Sequence, residues 1–385
     1  MKREEKKTFI SKTFFGLENI LAEELRSLGA DAVTPLKRAV SFQGDKELLY
    51  KANLQLRTAL KILLPVYSFN AQNEDELYEH CREFNWGEVM ETKQVFAVDS
   101  VVFSEYFTHS KYVALKVKDA IADHFREKTG KRPSVNIFNP DIRINVHIAT
   151  DQVSISLDSS GDSLHKRGYR DTRHIAPLNE VLAAGMLKIS RWDFTKPLLD
   201  PMCGSGTIPF EAAMMAANIP PGARRNNFGF MKWRDFDPEL WEKVQTEATD
   251  QIKIPHVNII ASDISNKAVD IAREAAICYE INHLIRFKRA AFTDLHAQNK
   301  ENLLILNPPY GKRMRSGDLN GLYKMIGDTL KKQFTGSDAW ILSSNNEALK
   351  HIGLHPGEKH RLYNGPLECK FLKFSLYKGS KKKNN

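Results

Sequence analysis

From residue 179 to residue 343 the chain alternates helix-like and strand-like runs, and no other feature restricts its fold as much. Helical spacing of apolar residues marks 179–189, 208–217, 268–279 and 319–332, while short apolar runs mark strands at 198–200, 258–263, 285–290, 303–307 and 339–343. Strands separated by helices cannot pair as simple hairpins, and each helix covers a sheet face, so the pattern predicts a doubly wound, mostly parallel α/β sheet. The end of the chain breaks the alternation. Runs at 361–363 and 367–376 flank Asn364-Gly365-Pro366, a hairpin turn, and predict closure on an antiparallel pair.

The first 165 residues read differently. A helix at 17–25, strands at 39–42 and 63–67 and a helical stretch at 45–60 predict one α+β unit. A helix at 74–84, a strand at 95–102, a helix at 111–128 and a strand at 143–149 that hairpins into 152–158 predict a second. Expected boundaries are therefore 1–65, 66–165 and 166–385. A hydrophobic fraction of 42% over 385 residues supports packed cores and excludes fibrous and disordered classes. No run approaches the roughly 18 uncharged apolar residues of a membrane span, and Met1 to Lys7 lacks an apolar signal core, so a cytoplasmic protein with no membrane partner is expected. No obligate protein partner is evident. Cys81, Cys203, Cys278 and Cys369 are scattered without metal spacing, so neither a disulfide framework nor a metal site is expected.

The chemistry concentrates where predicted strands end. Asp200-Pro201-Met202-Cys203-Gly204-Ser205-Gly206-Thr207 follows a strand and opens a helix, which lets a ligand approach the backbone at the carboxyl edge of a parallel sheet. A tight turn for close packing is the plainer reading of two glycines, but the third glycine of the dinucleotide fingerprint is missing. The charge of Asp200 would also face a pyrophosphate badly and a sulfonium or ammonium group well. S-adenosylmethionine fits that site and NAD does not. Asp263 ends the next strand, where such folds bind ribose hydroxyls. It follows Asp200 by 63 residues instead of the usual gap of about twenty. An insertion over about 218–256, starting near Pro220-Pro221-Gly222, accounts for the excess. Asp294, after the following strand, could accept from an adenine amine, with Phe292 beside it.

Asn307-Pro308-Pro309-Tyr310-Gly311 closes the strand at 303–307. Consecutive prolines remove amide donors, so the loop offers carbonyls beside the Asn307 side-chain oxygen, a pair of acceptors suited to an exocyclic NH2. Holding both amine hydrogens turns the nitrogen lone pair out of conjugation and toward an incoming methyl group, and Tyr310 offers a stacking face. Asn307, Pro308 and Tyr310 are the candidate catalytic residues.

These motifs, with Asn139-Pro140-Asp141, Ser159-Ser160-Gly161, the 165–170 junction and Ala176-Pro177-Leu178, resemble the THUMP-domain class I RNA methyltransferases. The chain is similar to bacterial members that methylate guanine N2 of 23S ribosomal RNA, a group also labelled N6-adenine-specific DNA methylases. The resemblance covers nearly the whole chain and implies a ferredoxin-like unit (1–65), a THUMP domain (66–165) and a Rossmann-like methyltransferase domain (166–385). It implies that Asp200, Cys203, Gly204, Gly206, Thr207, Asp263 and Asp294 bind S-adenosylmethionine. It also implies that Asn307, Pro308 and Tyr310 hold the target base. Larger fused relatives continue into a second module, whose activity is expected to be absent here.

Charge supports an RNA partner, ribosomal RNA by the resemblance. Residues 1–165 carry 22 Lys+Arg against 24 Asp+Glu, and residues 166–385 carry 34 against 23, so the net +9 comes from the C-terminal part. Candidate RNA contacts are Lys131 and Arg132 in a basic loop, Lys166, Arg167 and Arg170 at the junction, and Arg224 and Arg225 in the insertion. Phe228, Phe230 and Trp233 interleave with these basic residues and could stack on bases, while Trp233, Phe236, Leu240 and Trp241 could equally pack the insertion onto the sheet. The rivals are an adenine N6 methyltransferase acting on DNA or RNA, a binding module without catalysis, and an NAD-linked oxidoreductase.

Overall fold

A computed structural model of the protein describes residues 6–169, 178–297, 299, 301–310 and 318–377, in two compact units. The first unit takes in residues 22–164 with the N-terminal strand and residues 225–246. Its elements are β1 (Lys7–Lys12), α1 (Glu18–Ser27) from residue 22 onward, β2 (Asp31–Leu36), β3 (Ala39–Gly44), α2 (Lys46–Gln55), β4 (Lys61–Asn70), α3 (Glu74–Glu83), β5 (Phe96–Phe103), α4 (Ser110–Thr129), β6 (Ile142–Ala149) and β7 (Gln152–Asp158).

One seven-stranded sheet runs through this unit in the order β2-β3-β1-β4-β7-β6-β5. The expected boundary at 65 falls inside β4, which pairs antiparallel with β1 on one edge (Ile10↔Leu63) and with β7 on the other (Asn70↔Gln152). Pro65 has no amide to donate and sits at the bulge where the β4–β7 register shifts, a position a strand proline can occupy. Local signals place the helices. Asp45 caps α2 by accepting from the Leu48 amide at 2.9 Å, Asn73 caps α3, and Gly130 ends α4 at φ +70°.

Residues 225–246 are built into this unit's core. Phe230 stacks on Tyr50 of α2 with ring centroids 4.4 Å apart, and Trp241 meets both rings edge-on at 5.9 and 5.2 Å. The Asp237 amide donates to the Tyr50 hydroxyl at 3.0 Å. At Gly229 a side chain is sterically impossible, since a Cβ there would lie 2.3 Å from the Asp158 carbonyl oxygen.

The second unit takes in residues 14–21, 165–224 and 247–385. It contains α5 (Glu180–Ile189), β8 (Leu198–Asp200), α6 (Thr207–Ala216), the end of α7 (Pro238–Asp250), β9 (Ile259–Asp263), α8 (Asn266–Cys278), β10 (Ile285–Arg289), β11 (Leu303–Leu306), α9 (Leu319–Gln333), β12 (Asp338–Ser343), α10 (Asn346–Lys350), β13 (Glu358–Asn364) and β14 (Leu367–Ser375). The sheet order is β10-β9-β8-β11-β12-β14-β13, with β8 to β12 and β10 parallel. The last two strands are antiparallel, joined through Gly365 at φ +62°. Chain order runs one way from β8 through β9 to β10 and the other way through β11 and β12. The gap between β8 and β11 is thus a topological switch point, where open α/β sheets bind ligands.

Candidate active site

The loops after β8, β9, β10 and β11 line one cavity of about 620 Å3 in the second unit. The β8–α6 turn forms its floor through a chain of short contacts. Asp200 accepts from the Met202 amide at 3.2 Å, the Cys203 amide donates to the Ser262 carbonyl at 2.9 Å, and the Gly204 amide donates to Asp263 Oδ2 at 3.0 Å. Two carboxylates from neighbouring strands are thereby joined through the glycine loop. The other Asp263 oxygen accepts from the Ser265 amide at 2.9 Å, so that side chain is fixed while its remaining lone pairs can accept from ligand hydroxyls.

Asp200 is 1% exposed, and no basic side chain reaches it among the described residues. Burial pushes its carboxyl well above the ordinary range; the Met202 amide opposes the rise and the Asp263 charge adds to it. A cation placed here would restore the ionised form. Burial also raises the Cys203 thiol, and the Asp200 and Asp263 charges add to the rise.

The expected residues divide by what they touch. Asp200, Cys203, Gly204, Thr207, Asp263 and Asn307 all line the cavity. Gly204 stands at φ +52° with open space where a Cβ would go. Gly206 does not line it. At φ +84° it caps α6, and a Cβ there would lie 2.9 Å from the Phe210 ring and 3.1 Å from Ala272, so this glycine serves packing. Asp294 is exposed and accepts from the Thr293 hydroxyl at 3.3 Å, while Phe292 and Thr293 line the cavity in its place. Pro309, not the buried Pro308, faces the cavity. Tyr310 is 3% exposed and its hydroxyl accepts from the Asn364 amide at 2.8 Å, which seats the ring against the C-terminal hairpin. The sequence reading missed the apolar walls: Leu178, Ile264, Ile271, and Leu322 and Met325 of α9. The i,i+3 spacing of Leu319, Leu322 and Met325 marks that helix face, but nothing in it distinguishes a cavity wall from ordinary core.

Asn307 carries the most informative atom. Its Oδ1 is buried and has no hydrogen-bond partner among the described residues.

The cavity lies within a stretch of chain that matches a known family. The family model of the RMKL-like methyltransferase domain matches residues 167–373, more than half of the chain. The chain belongs to that methyltransferase family. A THUMP domain model matches 71–158 and an RlmL ferredoxin-like domain model matches 8–63. The ribosomal RNA large subunit methyltransferase K/L of Syntrophotalea carbinolica is 40% identical over 373 residues, covering 94% of this chain and 52% of that protein. The chain thus spans about half the length of such relatives. The protein slr0064 of Synechocystis sp., named as an RNA methyltransferase, is 38% identical, with 94% of this chain and 95% of that one covered. Among solved structures, SMU.472, named as a methyltransferase and complexed with SAH, aligns at 28% identity with a TM-score of 0.87, over 98% of this chain and all of that one.

The candidate RNA contacts of this methyltransferase chain need correction. Arg167 is 1% exposed and its Nε donates to the fully buried Glu211 at 3.2 Å, so it is a core ion pair and cannot meet RNA. Arg225 donates to the carbonyls of Ser160, Asp162 and Ser163 at 3.2, 2.9 and 3.0 Å and lies over Phe228, which makes it a loop clamp. Arg224 is paired with Glu280 and lies over Tyr279, 5.6 Å from the ring centre. Phe228, Phe230 and Trp233 are buried and are not stacking platforms; with Trp241 they pack in the first unit. Lys131 and Lys166 are exposed, and Arg132 is half-engaged by Asp119 at 3.6 Å. Arg170 lies outside the described residues.

Proposed function

We propose that this chain is an S-adenosylmethionine-dependent RNA methyltransferase that modifies an exocyclic base amine, guanine N2 of large-subunit ribosomal RNA. The buried Oδ1 of Asn307, which has no hydrogen-bond partner among the described residues, carries this proposal. A buried acceptor without a donor costs about 1–3 kcal/mol, and the following prolines have no amides with which to relieve it. An amine brought by the substrate does so. Relatives named for ribosomal RNA support the substrate class, as does the THUMP match.

S-adenosylmethionine supplies the methyl group, which the base nitrogen accepts as the carbon–sulfur bond breaks, the nitrogen's surplus proton passing to solvent. Asp200 would hold the methionine end through the cofactor's ammonium, and Gly204 leaves room beside it. Asp263 accepts from the ribose hydroxyls with the lone pairs its amide contacts leave open. Phe292 and Ile264 are two of the apolar cavity walls on which the adenine would lie. Asn307 Oδ1, with a loop carbonyl, accepts the amine hydrogens and aims the lone pair at the methyl carbon, and no general base is needed before attack.

The base is decided by nucleoside mass analysis of ribosomal RNA from cells with and without the gene. Loss of one N2-methylguanosine is the expected outcome. Loss of an N6-methyladenosine, in RNA or DNA, assigns the same acceptor pair to adenine and overturns the guanine assignment.

A further inference from the structure

Another hollow of the second unit, about 540 Å3, lies between α10, the loop at 351–357 and the β13–β14 hairpin. Its floor is apolar. Leu349 and Leu354 are half-buried there, and Leu372 and Phe374 are 6% and 2% exposed, part of the core that packs with α9. Its rim is basic: Lys350, Lys359, Lys370 and His355 line it, and no carboxylate does. Glu347 neutralises Lys350, but Lys359 and Lys370 are exposed and form no ion pair or side-chain hydrogen bond among the described residues. The pairings Lys359↔Leu372 and Arg361↔Lys370 make these two lysines diagonal neighbours on one face of the hairpin, close enough to share one anion.

The hollow also shares an edge of the sheet with the active site. Lys370 pairs with Ser343, the last residue of β12, and β12 pairs in turn with β11, which leads into Asn307. Two strand spacings, roughly 10 Å, separate the β14 and β11 backbones. α9 walls the cofactor cavity and packs in the core beneath this hollow. An apolar floor beneath two uncompensated ammonium groups matches a nucleotide, which offers a flat base and a phosphate together.

We infer that this hollow binds a nucleotide of the substrate RNA beside the one that is methylated, its phosphate shared by Lys359 and Lys370 and its base laid on Leu349 and Leu354. The inference rests on the RNA methyltransferase assignment above. The test is steady-state methyl transfer to unmethylated large-subunit ribosomal RNA over about 50 to 200 mM salt, with wild-type protein, the Lys359→Ala/Lys370→Ala pair and the Lys359→Arg/Lys370→Arg pair. The alanine pair should raise KM for RNA about tenfold at low salt and flatten the slope of log KM against log salt by about 0.7, the share of one phosphate on a single strand. Its kcat and its affinity for S-adenosylhomocysteine should stay at wild-type values, and the arginine pair should restore KM. An unchanged KM and slope in the alanine pair overturns the inference, as does an arginine pair no better than alanine. A wild-type protein that transfers no methyl group to RNA overturns the RNA assignment itself, and that outcome is read before any variant is compared.

Discussion

Asp200 is kept nearly dry beside a second acid, so in the cofactor-free fold it holds its proton more tightly than in the unfolded chain. Its effect on stability is therefore least unfavourable at low pH, and stability falls as pH climbs from the ordinary carboxylate range through the raised value. Asp200→Asn keeps the shape and removes the charge. Thermal melts of the cofactor-free variant should lose that decline and lie above wild type at alkaline pH. Titration with S-adenosylhomocysteine should show affinity weaker by about 1.5–3 kcal/mol, the worth of a hydrogen bond to a charged group. Wild-type affinity should rise with pH over the interval in which Asp200 ionises, and the variant's should not; equal affinities at every pH would put the ligand's ammonium elsewhere. Asp200, Asp263 and Asn307 were legible because each terminates a recognisable strand, and strand ends define the ligand edge of such a sheet. Arg167 and Arg225 were not, because their partners are remote in sequence: Glu211 for one, and the carbonyls of 160–163 for the other. A basic residue in a loop looks the same in sequence whether it meets a phosphate or a carbonyl.

The β8–α6 turn sets the geometry between those carboxylates, and its two glycines do different work. Gly206→Ala drives a methyl into Phe210 and Ala272 from a left-handed backbone and should cost about 1–3 kcal/mol of stability, visible as a lower melting point. Gly204→Ala meets open space in a milder left-handed conformation, so about 1 kcal/mol is expected in stability. Its larger loss should appear in cofactor affinity, because the methyl enters the cavity. Comparable losses of binding without loss of stability at both positions would contradict this division. The alternating elements of the second unit were legible from periodicity and caps. β1 and β2 were not: β2 is an edge strand with nearly every residue exposed and a proline within it, so it has no apolar face to betray it.

Across the whole chain, the least expected feature is where residues 225–246 belong. They interrupt the methyltransferase sequence between Asp200 and Asp263 yet complete the first unit's core through Phe230, Trp241 and the Arg225 clamp. Aromatic-rich segments announce burial but not the element they will be buried against, so sequence alone left the choice open. A fragment beginning at residue 166 exposes Phe228, Phe230 and Trp241 without Tyr50, and it should be poorly soluble unless 225–246 is replaced by a short linker. Equal solubility and cooperative melting of the uncut fragment would show that the segment does not need the first unit. The proposed function rests on a single oxygen atom, Asn307 Oδ1. Transfer of labelled methyl from S-adenosylmethionine to unmethylated large-subunit ribosomal RNA, compared between wild-type protein and Asn307→Ala at saturating cofactor and RNA, isolates that atom. The expected result is a fall in kcat of about a hundredfold or more, as for other preorganised groups at a reacting centre, with S-adenosylhomocysteine affinity unchanged and the wild-type label on a base amine. Turnover near wild type in Asn307→Ala, or label on a base carbon or ribose oxygen, would contradict it.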